Sequence, residues 1–157
     1  MPQLNEAVKG TRMKRLNIIS LRMVKEGSLS YQTNRIRCPQ DAFELAQAFI
    51  GDEDREHCIL LCLDTKNKVT TIQTIAIGSL NAAIVHPREV FKAAILSNSA
   101  SIIIAHNHPS GDTTASDEDM EIGKRIKIVG ELIGIELLDF VIVSTTQHSS
   151  MKEKGII

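Results

Sequence analysis

Two histidines, a serine and an aspartate stand at a spacing that suits a metal site. His106 and His108 are two residues apart at the end of an apolar run, and Ser116 and Asp119 follow a polar loop. Side chains two apart in a strand point to the same side, and side chains three apart share one helix face. The spacing predicts that both imidazoles face one way, close to the first turn of a helix that carries Ser116 and Asp119.

The ligand chemistry of this group indicates zinc. Two neutral imidazoles and one carboxylate suit Zn²⁺, and three protein ligands leave a fourth tetrahedral position for water, as in catalytic sites. Such a water ionises near neutral pH, with its pKa lowered to about 7. A carboxylate in the first turn of a helix is also favoured in its charged form. The sequence therefore predicts one zinc ion per chain, held by His106, His108 and Asp119.

Other interpretations of the same residues stay open. Ser116 and Asp119 fit an ordinary helix N-cap with an acidic first turn, and a histidine pair at a strand end can be structural. The letters His106-Asn107-His108 also spell the name of a nuclease class, although that class takes its name from residues spread over a longer unit. The conjunction of strand end, loop and capped helix favours the metal site over each of these.

The remaining elements are predicted from apolar spacing and from Gly and Pro positions. Strands are expected over 16–25, 56–64, 68–78, 101–105 and 137–144, helices over 39–50, 87–98 and 116–133, and a polar loop over 106–115. Alternating strands and helices indicate a layered α/β or α+β domain. The expected organisation is a flexible arm over 1–15, a strand and connection over 16–37, and the main domain over 38–157.

Composition bounds the class of protein. A chain of 157 residues with net charge −1 is expected to form one domain without a strong electrostatic field. No apolar run approaches the roughly 20 residues of a membrane span, and no signal peptide is recognisable, so a cytoplasmic protein with no membrane contact is expected. Cys58 and Cys62 lie in an apolar run and are predicted to be buried free thiols.

The motif His-x-His-Pro-x6-Ser-x-x-Asp resembles the signature of the JAMM metalloproteases of the JAB/MPN class. Sequences at 85–92, 105–112, 134–139 and 152–155 are similar to those of the RadC family, and the resemblance covers roughly residues 38–157. It implies a mixed, curved β-sheet flanked by helices, similar to the three-layer cytidine-deaminase-like architecture. The helical domain that precedes this one in longer RadC proteins is not expected in this chain, and that expectation weakens an inference to DNA repair.

The resemblance also implies roles for single residues. His106, His108 and Asp119 match the metal ligands, and Ser116 matches a serine that helps to hold the oxyanion. Glu56 stands where these enzymes place a general base ahead of a strand. The implied activity is hydrolysis of a peptide or isopeptide amide bond by a zinc-activated water.

Two further functions compete with the hydrolase. A nucleic-acid-binding or DNA-repair-associated protein has weak support, because the chain has one Tyr, no Trp and no basic excess. A nuclease would also favour oxygen ligands for magnesium over two histidines. A non-catalytic interaction module is the third possibility, and the complete ligand set argues against it. The peptide or protein substrate is not identified by the sequence, and pairing of two copies through an exposed strand edge stays open.

Overall fold

A mixed five-stranded sheet with helices on both faces forms the domain. The computed structural model describes residues 13–32, 35–78 and 85–157. Within these ranges the helices are α1 (Pro39–Ile50), α2 (Pro87–Leu96) and α3 (Asp117–Ile133), and the strands are β1 (His57–Leu63), β2 (Val69–Ile77), β3 (Ser101–Asn107), β4 (Glu136–Val143) and β5 (His148–Ser150). The strand order is β2-β1-β3-β4-β5, with β3 and β4 parallel and the other pairs antiparallel.

Alternating residues of the central strands supply two apolar cores, one on each face of the sheet. Leu60 and Ile104 belong to the core beneath α2 and α3. Ile59 and Ile103 belong to the core beneath α1. The runs Cys58–Leu63 in β1 and Ile102–Ala105 in β3 are continuously apolar, because these parts of the two strands are buried on both faces. The expected mixed sheet flanked by helices is confirmed.

Local chemistry sets where α3 begins and ends. Ser116 is the N-cap, and its side chain accepts a hydrogen bond from the backbone N–H of Asp119, whose carboxylate accepts one from the N–H of Ser116. This reciprocal capping box satisfies two N–H groups at the helix start. Gly134 ends the helix with φ 76°, a left-handed conformation that favours glycine. The helix predicted over 116–133 is therefore confirmed to within a residue.

The strand predicted over 16–25 is wrong. The structure assigns no strand there, and large apolar side chains of the segment are exposed, from 55% at Met23 to 100% at Ile18. Strand propensity describes how a side chain fits a paired, half-buried surface, and this segment has no ladder partner among the described residues. Of the arm predicted over 1–15, residues 1–12 lie outside the described part of the chain.

Two boundaries near the end of the sheet also differ from the sequence prediction. Strand β3 continues through His106 and Asn107, because His106 pairs with both β1 and β4 and Asn107 pairs with β4. Strand β5 was not predicted, since its three polar or small residues carry no strand signal. Cys58 and Cys62 are buried and free, as predicted, and burial raises the pKa of each thiol.

A buried carboxylate ties β5 and the C-terminal turn to β4. Asp139 accepts hydrogen bonds from the Ser150 hydroxyl at 2.6 Å and from the backbone N–H groups of Phe140 and Lys152 at 2.7 and 3.2 Å. Asp139→Ala removes the acceptor and leaves buried donors without a partner, so the free energy of unfolding is expected to fall by about 3 kcal/mol. Urea denaturation followed by circular dichroism measures this free energy in the wild type and the variant.

Asp64→Ala is the matched control for Asp139→Ala. Asp64 also accepts two backbone N–H groups, from Lys66 and Lys68, but at an exposed turn where water replaces the lost acceptor. The loss in the free energy of unfolding is therefore expected to be smaller for Asp64→Ala than for Asp139→Ala. Equal losses in the two variants would contradict the role assigned to the buried carboxylate.

In the part of the chain that the structure describes, no helix has the length and apolar character needed to cross a membrane.

Candidate metal centre

The predicted site residues meet at one end of the sheet. His106 is the second-to-last residue of β3, His108 directly follows that strand, and Asp119 lies in the first turn of α3. Glu56 directly precedes β1, whose Cys58 is the register partner of His106. Antiparallel pairing of β1 with β3 therefore brings Glu56 to the histidines, although it is 50 residues away in sequence.

The two imidazoles lie side by side, as their spacing predicted. Their ring centroids are 4.8 Å apart and the rings are nearly perpendicular. His106 is 2% exposed, whereas His108 is partly open to solvent. One ring is thus fixed in the protein interior and the other lies at the mouth of the site.

Oxygen atoms engage the Nδ1 atom of both histidines. His106 Nδ1 lies 3.1 Å from Asp119 Oδ1, and His108 Nδ1 lies 2.7 Å from the backbone carbonyl of Asp112. A carbonyl or carboxylate oxygen only accepts, so in a neutral ring each Nδ1 carries the proton and donates it. The lone pair then resides on Nε2 of each ring. A hydrogen bond from Nδ1 to an oxygen fixes the orientation of the ring and leaves Nε2 free to bind a metal, as in many metal-binding histidines.

Both Nε2 atoms face carboxylate oxygens. His108 Nε2 is 3.6 Å from Asp119 Oδ2, and His106 Nε2 is 3.8 Å from Glu56 Oε2. Among the described residues, no group hydrogen-bonds to the buried His106 Nε2. Lone pairs that face anionic oxygens repel unless a proton or metal cation lies between them. Two ligand atoms on a tetrahedral zinc are about 3.3 Å apart for bonds near 2.05 Å, so the 3.6 Å between His108 Nε2 and Asp119 Oδ2 is close to the separation of two zinc ligands.

Among the described residues, the group of candidate ligand atoms that lie close together differs from the predicted one. Glu56, His106 and His108 each offer an atom within 4.8 Å of the others, so this group can hold a metal ion. The sequence instead predicted Asp119 as the third ligand, with Glu56 as the base. The structure brings all four residues together, and Asp119 contacts both imidazoles.

Asp119 is held as an anion in the protein interior. Burial alone would raise its pKa, but the hydrogen bonds from His106 and from the Ser116 backbone, together with the nearby His108 imidazole, outweigh burial and hold the pKa well below its usual range. The Asp119 carboxylate in turn raises the pKa of His108, against the effect of burial. A fully buried carboxylate beside two imidazoles is therefore available as a charged ligand at neutral pH.

Ser116 is exposed and lies at the start of α3, next to Asp119. Its hydroxyl oxygen accepts the N–H of Asp119 at 3.1 Å. The hydroxyl proton is not used in that bond, so Ser116 both caps the helix and has a donor to offer to solvent or substrate.

Asn107 has a larger role than the sequence indicated. Residue 107 was placed in the predicted polar loop over 106–115, yet Asn107 is buried in β3. Its amide hydrogen-bonds to the backbone of Arg55 and of His57. No local pattern reveals this contact, because the partners lie about 50 residues away and meet Asn107 only through the pairing of β1 with β3.

An open pocket of about 340 Å³ adjoins His108. Its lining includes Asn107, Pro109 and Thr145 from the sheet end and three acidic residues from the loop after α1. Of the candidate site residues, only His108 lines this space, so the pocket lies beside the candidate metal centre.

The fold and these residues define a JAB-type domain with a candidate metal centre. The RadC-like JAB domain family matches residues 36–156. The chain belongs to this family, which confirms the resemblance seen in its motifs.

Several bacterial relatives share about half of their aligned residues with this chain. UPF0758 proteins of Desulforamulus reducens and Geobacillus thermodenitrificans are 50% and 49% identical to it over 122 residues, 78% of this chain. One from Listeria monocytogenes is 48% identical over 120 residues, 76% of this chain. The chain spans about half the length of the relatives it matches, 54% in each of these cases.

Proposed function

We propose that this protein is a zinc-dependent hydrolase of the JAMM type that cleaves a peptide or isopeptide amide bond. The observation that carries the proposal is the approach of both Nε2 atoms to carboxylate oxygens: His106 Nε2 lies 3.8 Å from Glu56 Oε2, and His108 Nε2 lies 3.6 Å from Asp119 Oδ2. A proton or a metal cation between these atoms stabilises such an arrangement, and the nitrogen and oxygen donors suit zinc.

His106, His108 and Asp119 are the proposed ligands. Asp119 is the better third ligand because it is fully buried and anionic, and because the capping box fixes its orientation. Glu56 is about one-third exposed and has no such restraint on its carboxylate, which suits a group that must exchange protons. Zinc held in this way supplies Lewis acidity, which polarises a carbonyl group and makes water a nucleophile near neutral pH.

The remaining side chains have distinct roles in the proposed reaction. Glu56 accepts the proton of the attacking water and returns it to the leaving amine. The Ser116 hydroxyl donates a hydrogen bond to the oxyanion of the tetrahedral intermediate.

Metal removal is expected to abolish hydrolysis reversibly. Protein treated with a chelator and then dialysed should lose activity towards a panel of fluorogenic peptides and lysine-linked isopeptides. Stoichiometric zinc should restore it, whereas magnesium should not, because Mg²⁺ prefers oxygen ligands and octahedral geometry. Activity that survives chelation, or appears only with magnesium, would contradict the proposal. Zinc-loaded protein that cleaves no member of the panel would count against the amide substrate class.

A further inference from the structure

We propose that Asn107 is a positioning residue that fixes Glu56 beside the proposed metal site by hydrogen-bonding to the backbone on both sides of Glu56. This inference rests on the proposed function, because it assigns Asn107 a part in the proton transfer by Glu56. It concerns a residue that neither contacts the proposed metal nor carries a titratable group.

Asn107 binds the two residues that flank Glu56. Its Oδ1 accepts the backbone N–H of His57 at 2.5 Å, and its Nδ2 donates to the backbone carbonyl of Arg55 at 2.9 Å. The two bonds use both ends of one planar amide, so they restrain rotation of the segment as well as its distance from β3. Asn107 itself is 4% exposed, and water does not readily replace these contacts.

The Asn107 side chain lies on the face of the sheet opposite to the proposed metal site. Cys58 and Ile104 face the α3 side, and Ile59 and Ala105 face the α1 side. Strand alternation then places Glu56 and His106 towards α3, and Asn107 towards α1. Asn107 can therefore hold the Glu56 backbone without occupying space needed by the metal or substrate.

Glu56 needs such a restraint because it precedes the first residue of β1. Its backbone carbonyl accepts the N–H of Gly78 at 2.7 Å, which anchors one point on the β2 side. The Asn107 amide supplies two further points on the β3 side. These contacts fix the backbone position from which the Glu56 side chain extends. Glu56 Oε2 then lies 3.8 Å from His106 Nε2. A displacement of about 1 Å in a reacting group costs on the order of 100-fold in rate.

The test compares Asn107→Ala with Ser110→Ala, a nearby polar loop substitution that leaves Glu56 untouched. The first readout is hydrogen–deuterium exchange of the His57 backbone amide in the metal-free full chain. Asn107→Ala is expected to accelerate this exchange at least tenfold, and Ser110→Ala to leave it unchanged. Unchanged exchange in Asn107→Ala would overturn the proposal whether or not the protein is an enzyme.

The second readout is a double-mutant cycle in zinc-loaded protein. Asn107→Ala is expected to lower kcat by about 10- to 100-fold with KM and zinc content unchanged. In a Glu56→Gln background it should lower kcat by no more than about twofold, because the group that it positions is already disabled. An equal loss in both backgrounds, or loss of zinc, would show that Asn107 supports the ligands instead, and would overturn the proposal.

Asn107→Asp serves as a second variant if the alanine variant does not fold. It keeps an acceptor for the His57 N–H but places a carboxylate oxygen against the Arg55 carbonyl. Its loss in kcat should likewise disappear in the Glu56→Gln background. If wild-type protein binds no zinc and cleaves no substrate, the proposed function fails, whereas amide exchange at His57 still decides whether Asn107 holds this backbone.

Discussion

A His106→Ala/His108→Ala variant is expected to contain almost no zinc, whereas the wild type carries about one ion per chain. The variant removes two of three proposed ligands, and the remaining carboxylate cannot retain the ion through extensive dialysis. Elemental analysis of protein purified without added metal gives the ratio directly. The thermal unfolding temperature should rise with added zinc in the wild type and not in the variant, because only the wild type gains binding energy in the folded state.

The matched control removes two other histidines. His86 caps α2 by accepting the N–H of Arg88, and His148 stacks on Phe43 at 4.9 Å between ring centroids. A His86→Ala/His148→Ala variant should be less stable but should keep its zinc. Equal zinc content in both double variants would contradict the assigned site.

Glu56→Gln and Asp119→Asn are expected to separate catalysis from metal binding. Glu56→Gln should keep its zinc and lose about 10²- to 10⁴-fold in kcat, the usual contribution of a general base. Asp119→Asn should weaken zinc binding by more than about 100-fold, since even residues that only orient a ligand contribute about 10- to 100-fold to affinity. Both changes preserve side-chain size, so differences in packing do not confuse the comparison. Competition with a chromophoric chelator measures each affinity.

The outcome decides between the two carboxylates that face the histidines. Both oxygens lie at similar distances from an Nε2 atom, 3.6 Å for Asp119 and 3.8 Å for Glu56. If Glu56→Gln lost zinc while Asp119→Asn kept it, Glu56 would be the ligand and Asp119 a residue that orients His106. The proposed division of roles would then be contradicted.

Much of the site was predictable because its signals are local. The His106–His108 spacing fixes the relative direction of two neighbouring side chains at the end of one strand. The Ser116–Asp119 pair specifies a helix start through hydrogen bonds within four residues, and the structure forms both bonds. Short-range geometry of this kind depends little on the rest of the fold, so sequence spacing is sufficient to predict it.

Features that depend on strand pairing were not predictable in the same way. Glu56 was located by family resemblance alone, since the register of β1 on β3 cannot be read from the sequence of either strand. The contact of Asn107 with Arg55 and His57 depends on the same register. The error over 16–25 has the same origin, because β-branched and apolar residues favour a strand only when a partner is available.

The most direct test of the zinc centre is anomalous scattering from crystals of the zinc-loaded protein, recorded on both sides of the zinc absorption edge. We expect one anomalous peak per chain, bonded to His106 Nε2, His108 Nε2 and an Asp119 oxygen, with Glu56 beside the ion and not bound to it. A peak at another position, or no peak with the histidines hydrogen-bonded to the carboxylates through protons, would contradict the account.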